Sequence, residues 1–158
     1  MKLLLLRHAE AVPGDGLDPR RELTPYGKAQ AKAMAVRVQA ALPEARVVAS
    51  PWIRARQTAE AIALELQCPV SELQPLIASA GIEEAAAALE PFFATAEPLV
   101  VVTHQPLCGQ LIGWLTEGDR QGRGISTCSG ALLELEWPAR SMARLLAWYD
   151  SENAKKAT

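Results

Sequence analysis

Apolar runs broken by polar clusters divide the chain into alternating strands and helices. Residues 2–7 (KLLLLR) read as a buried strand, and Arg7, His8 and Glu10 arrive as soon as its leucines end. Residues 8–23 read as a loop, with Pro13, Gly14, Gly16 and Pro19 as breakers. Thr24-Pro25 is a helix-start signal: a capping hydroxyl, then a proline where its missing N–H costs nothing. The helix that follows carries Ala31, Met34, Val38 and Ala41 on one face and stops near Pro43. Residues 45–49 (ARVVA) predict a second, short strand. Ser50-Pro51 repeats the cap-plus-proline device and predicts a helix to about Leu66, with Ala55, Ala59, Ile62 and Leu66 inward. A third helix is expected over 82–95, its first-turn Glu83 and Glu84 suited to the helix dipole. Residues 98–103 (PLVVVT) form an apolar, β-branched run without alternation, as a central parallel strand requires. His104 follows, and Pro106 starts a helix to about Leu115. After a Gly-rich loop at 118–129, residues 131–137 and 143–149 alternate apolar and polar around a Pro138–Ser141 turn. They read as an antiparallel hairpin at the sheet edge. This alternation predicts an α/β fold: three layers, α/β/α, around a mostly parallel sheet.

Composition narrows the class. At 158 residues one domain spanning 1–158 is expected, with room for a real core. The formal net charge of -2 argues against nucleic-acid or membrane-surface binding, both of which want a basic face. The apolar start is too short for a leader or a membrane span, so a cytoplasmic protein is expected. Cys68, Cys108 and Cys128 are an odd set with no C-x-x-C spacing and read as reduced, packed thiols. His8 and His104 are the only histidines and lack ligand spacing, so neither metal nor other cofactor is expected.

In an open parallel sheet, the carboxyl ends of adjacent strands converge on one crevice. His8 follows the first strand and His104 the strand at 98–103. Arg54 and Arg56 lie in the first turns of the helix after residues 45–49. That set suits attack on phosphorus. A neutral imidazole is a good nucleophile that needs no activating base. Guanidinium groups offset phosphate charge and grip its oxygens in pairs, and a helix N-terminus adds N–H donors. Phosphoryl transfer asks for little beyond positioning and charge stabilisation. On this reading Arg7 grips the phosphate that His8 attacks. Arg54 and Arg56 are about 200° apart on a helix of 3.6 residues per turn, so only one of them faces the crevice.

Four segments carry a resemblance: L-L-R-H-A-E at 5–10, L-T-P-Y-G-K-A-Q-A at 23–31, S-P-W-I-R-A-R-Q-T-A at 50–59 and V-T-H-Q-P at 102–106. In this order they resemble the histidine phosphatase superfamily, also called phosphoglycerate-mutase-like. The resemblance implies His8 as nucleophile, Arg7 and Arg54 as phosphate-binding arginines and His104 as the second histidine. It further implies transfer to His8 and then to water, without a metal. Ala9 stands where the family commonly has glycine, a variation found in the SixA-type phosphohistidine phosphatases. Only residues 67–97 separate the second helix from the strand before His104, too few for the long roofing insertions of mutases and broad phosphatases. The resemblance therefore implies a phosphorylated histidine protein, such as a histidine-containing transfer domain, as partner, and a monomeric enzyme. Arg20, Arg21 and Trp52 are candidate partner contacts.

A general acid is not clearly marked. Glu83 and Asp18 are candidates, though Glu83 and Glu84 also fit as dipole-matched surface residues. Imidazole leaves with a lower pKa than an alkoxide, so phosphohistidine asks less of an acid. A small-molecule phosphomonoesterase of the same fold remains the alternative.

Overall fold

The computed structural model describes residues 1–151, together with the backbone of 154–156. Seven strands form one sheet: β1 (Lys2–Arg7), β2 (Arg46–Ala49), β3 (Val70–Glu72), β4 (Leu99–Thr103), β5 (Gly130–Glu134), β6 (Arg144–Tyr149) and β7 (Ala154–Lys156). Their order is β3-β2-β4-β1-β5-β6-β7. The first four strands in that order run parallel, and every pairing from β1 to β5 onward is antiparallel. Four α-helices accompany them: α1 (Pro25–Ala41), α2 (Ile53–Leu66), α3 (Ile82–Leu89) and α4 (Leu107–Glu117).

The leucine run explains itself once the layers are known. Leu4 and Leu6 pack with the buried faces of α1 and α2, whereas Leu3 and Leu5 pack with those of α3 and α4. Successive strand residues point to opposite faces, and both faces are covered, so no polar alternation survives. All four leucines are wholly buried, each contributing roughly 1.5–3 kcal/mol on transfer from water. The register aligns the strand ends: Arg7 lies opposite Thr103, so His8 and His104 emerge side by side.

α1 begins as its sequence predicts. Thr24 accepts a hydrogen bond from the Gly27 N–H at 2.9 Å, and Pro25 opens the first turn. Ala31, Met34 and Val38 are buried, but Ala41, at the fraying end, is exposed. α2 departs from expectation. It starts at Ile53, not at Ser50-Pro51, with Trp52 at its N-cap. The Ser50 hydroxyl serves another partner, described below. The third predicted helix is α-helical only to Leu89 and continues over Glu90–Ala94 as a 3-10 turn, because Pro91 supplies no N–H for the α pattern. β5 and β6 form the expected antiparallel hairpin on the edge side of the sheet, with strands shorter than predicted; β5 pairs with β1, and the short β7 adds outside β6. At the join between the two halves of the sheet, a Cβ on Gly130 would stand 1.7 Å from the Leu5 carbonyl oxygen.

Candidate active site

Three backbone links set the site before any side chain acts. The His8 N–H donates to the Thr103 carbonyl at 3.0 Å, the Ser50 N–H to Val102 at 3.0 Å and the Arg7 N–H to Ser129 at 2.9 Å. The residues that follow β1, β2 and β4 are thereby stitched into one edge of the sheet, where parallel α/β sheets hold ligands. The His8 and His104 rings lie 5.2 Å apart, centroid to centroid, and Trp52 stands 4.9 Å from His104.

His8 has both ring nitrogens partnered, and His104 has one. His8 Nδ1 meets the carbonyl of Ala9 at 2.7 Å. A carbonyl only accepts, so Nδ1 carries the proton and Nε2 holds the lone pair. The Ala9 N–H in turn donates to Thr58 Oγ1 at 3.0 Å, while the Thr58 hydroxyl donates to the Arg54 carbonyl at 2.8 Å. Thr58 thus fixes the peptide that orients His8 to the helix carrying Arg54. His104 Nε2 meets Ser50 Oγ at 2.7 Å, and its buried Nδ1 has no hydrogen-bond partner.

Arg54 is 2% exposed and reaches three ways. Its Nε donates to His8 Nε2 at 3.2 Å, Nη1 to the Asp18 carbonyl at 2.7 Å and Nη2 to the Gly16 carbonyl at 2.7 Å. Its guanidinium carbon sits 5.1 Å from the Trp52 ring centre, a cation–π distance. Arg7 Nη1 donates to the Ile125 carbonyl at 2.8 Å, and its buried Nε has no partner. Neither arginine forms an ion pair with a carboxylate among the described residues. Arg56, two positions on, faces outward and pairs with Glu60 and Glu72. The helical geometry thus separates the two arginines as the sequence requires.

Burial among these cations governs the charges. Desolvation chiefly, with the nearby Arg54 and Arg7, pushes His8 down to about 3, against the bond to Ala9. Desolvation, then His8 and the same arginines, pushes His104 down to about 2. Arg54 is lowered to about 10 by desolvation and then by Arg21, and stays charged at neutral pH. The site is therefore two neutral imidazoles beside two guanidinium cations without carboxylate counterions. It is built to receive an anion.

The other candidates stand elsewhere. Both carboxylate oxygens of Glu83 are taken up by Arg120 at the surface, which lowers its pKa. The Asp18 carboxylate accepts the Arg20 N–H at 2.9 Å and Nε at 3.2 Å, also with a lowered pKa. Asp18 serves the cluster through its backbone carbonyl instead. Glu10 accepts the Thr24 hydroxyl at 2.7 Å and ties the first loop to α1. Arg20 extends outward, its side chain 85% exposed. Arg21 is spent within its own loop, on the Val12 and Asp15 carbonyls at 2.8 and 3.3 Å. Trp52 is a wall of the histidine cluster. Sequence reasoning assigned no role in the site to Thr58 or Ser50. Both lie inside the 50–59 segment, where the signal was a buried hydroxyl: Thr58 on the inner face of the helix and Ser50 just after β2.

Among the described residues no group of His, Cys, Asp and Glu is placed to hold a metal ion, and no helix is long and apolar enough to cross a membrane. Cys108 and Cys128 are buried free thiols, and Cys68 is half-buried.

A sequence profile of the histidine phosphatase superfamily (branch 1) matches residues 3–81, a stretch that takes in Arg7, His8 and Arg54. Among solved structures, the protein histidine phosphatase SixA complexed with tungstate superposes with a TM-score of 0.84 at 24% identity, covering 97% of this chain and 99% of that one. A SixA-type protein from Nakamurella multipartitia gives 0.75 at 26% identity, covering 94% of each chain. A mycobacterial glucosyl-3-phosphoglycerate phosphatase bound to inorganic phosphate gives 0.74 at 19% identity, covering 96% of this chain and 99% of that one. A search of curated protein sequences gives no match. The chain belongs to the histidine phosphatase superfamily, branch 1. The structural likeness extends that fold past residue 81 to the strand and loop that carry His104.

Proposed function

We propose that the chain is a metal-independent phosphatase that passes a phosphoryl group through His8 to water, with phosphohistidine on a partner protein as substrate. The observation that carries the reaction is the pairing of a neutral, lone-pair-bearing His8 Nε2 with two guanidinium groups that have no carboxylate of their own. An incoming phosphoryl group supplies the missing anion. Arg54 Nε, Arg7 Nε and His104 Nδ1 are then the donors for its oxygens. His8 Nε2 attacks phosphorus, the bond to the substrate's leaving atom breaks, and phosphate rests on His8. Ala9 holds the Nδ1 proton of that ring throughout, so the ring stays in the right tautomer and orientation. Water then attacks the same phosphorus, the P–N bond to His8 breaks, and inorganic phosphate leaves.

The substrate assignment rests on the acid. A sugar phosphate leaves as an alkoxide and needs a proton delivered to it. Glu83 and Asp18 are both held ionised by arginines. Imidazole is a far better leaving group, so phosphohistidine fits a site with no free acid. The likeness to SixA supports the same reading, and the likeness to a sugar-phosphate phosphatase keeps the small-molecule phosphomonoesterase as the second.

A comparison of kcat/KM on a phosphorylated histidine-containing transfer protein, free phosphohistidine, sugar phosphates and nucleotides tests the proposal. The phosphoprotein should lead. A sugar phosphate or nucleotide that leads by a wide margin replaces it with the second reading.

A further inference from the structure

The Ser50 hydroxyl sits wholly buried between β2 and α2, with two partners. It accepts the Trp52 N–H at 3.2 Å, and it meets His104 Nε2 at 2.7 Å. The second contact has two possible senses, since a hydroxyl has one donor and two acceptor positions. If Nε2 donates, the serine proton is left with no acceptor in a buried place, and Nδ1 keeps a bare lone pair among cations that call in an anion. Two polar groups are then stranded, at roughly 1–3 kcal/mol each. If the serine donates, every one of its positions near the ring is used sensibly: one lone pair takes Trp52 N–H, the proton goes to Nε2, and Nδ1 carries the N–H. Only that N–H remains unpartnered, on a residue 1% exposed.

We infer that Ser50 is a positioning residue for His104: its hydroxyl donates to Nε2, fixes the proton of the neutral ring on Nδ1, and so presents an N–H to a phosphoryl oxygen. This rests on reading His104 as a phosphate ligand. The two histidines would then share one tautomer for opposite ends. Nδ1–H of His8 is spent on Ala9 to free Nε2 for attack, while Nδ1–H of His104 is kept free to bind. A neutral ring is what makes the choice of tautomer matter, and burial keeps His104 neutral across the working range. The position of Ser50 explains why it does not cap α2: the helix start is displaced to Ile53, and the hydroxyl is turned to the histidine.

Two-bond proton–nitrogen NMR spectra of the uniformly 15N-labelled, ligand-free full chain read the tautomers directly. With only His8 and His104 present, His8→Ala assigns both rings. Both histidines should show a protonated Nδ1 at pH 7. Ser50→Ala should move His104 toward the Nε2–H form and lower kcat/KM on phosphohistidine by about ten- to a hundredfold, the range seen when a partner that orients a functional histidine is removed. An Nε2–H form of His104 in the wild type overturns the inference. So does Ser50→Ala with undiminished kcat/KM, or with lost activity and an unchanged tautomer, which would make the serine merely structural. The outcome is separable from the fate of the proposed reaction, because activity surviving in His8→Ala sinks the reaction and leaves the tautomer assignment standing.

Discussion

The two halves of the sheet differ in where their strands end. In the parallel half, β3-β2-β4-β1, every strand finishes at the same edge, so the residues that follow β1, β2 and β4 meet: His8, Ser50 and His104. In the antiparallel half, successive strands finish at opposite edges. Its contribution to the cluster comes from backbone in the loop before β5: the Ser129 and Ile125 carbonyls hold Arg7, and the Cys128 N–H donates to the His8 carbonyl at 2.9 Å. Burial follows distance from the centre of the sheet instead: most of β5 is buried and most of β3 is exposed. All of β4 is buried, whereas most of β6 is only half-buried. Direction gathers chemistry, and the two-sided burial of the central strands gives it a rigid base; the antiparallel half closes the sheet without delivering a side chain to the cluster.

The sharpest way to break this contrast is at His8, the proposed nucleophile. His8→Ala should abolish hydrolysis while the chain still folds; the ring is buried beside His104, so the thermal unfolding midpoint should fall, and a cooperative melt separates lost chemistry from lost structure. Retained turnover would remove the parallel edge from the chemistry. Next comes the packing of the halves. Leu5→Ala in β1 should cost about 2–5 kcal/mol in denaturant unfolding, as wholly buried leucines do. Leu145→Ala in half-buried β6 should cost clearly less, and equal losses would contradict the division. The third test stays on one helix. Arg54→Lys keeps the charge but loses the fork, and should cost about 2–4 kcal/mol of transition-state stabilisation, read from kcat/KM. Arg56→Lys, exposed and paired with Glu60 and Glu72, should change it little.

The last test is on pH. Both histidines titrate below their unfolded value near 6.5, His8 at about 3 and His104 at about 2. The unfolded chain therefore binds more protons between those limits, and their contribution to stability is present above pH 6.5 and lost as pH falls toward 3. Melting temperatures from pH 8 to 4 should fall less for His104→Gln than for wild type. Equal slopes would mean that His104 is not held neutral by the fold.

The same contrast explains what the sequence reveals. β4 announces itself, because burial on both faces leaves a β-branched run that no helix or loop imitates. Thr24-Pro25 announces α1 because its hydroxyl does what capping hydroxyls do. Ser50-Pro51 carries the same letters and misleads, since a hydroxyl beside a buried imidazole is worth more there than at a helix end. β3 is hidden for a different reason: three residues, two of them exposed, carry no periodicity. Glu83 shows a limit of another kind, for its partner Arg120 is 37 positions away in the chain. Composition and spacing say nothing of such a pair. Arg7, His8, Arg54 and His104 come together as their places after strands predict, because a parallel strand delivers whatever follows it to a known edge.

The seam between the halves has a consequence for how this sequence can drift. At Gly130 even one added methyl would press on the main chain of Leu5, three residues before His8. A backbone obstacle cannot turn aside as a side chain does. A saturation library scored for growth or activity should therefore be nearly empty at this codon while neighbouring β5 positions accept several residues. In lineages that descend from this chain, the glycine would persist beside the strand that leads to His8, which it never touches with a side chain.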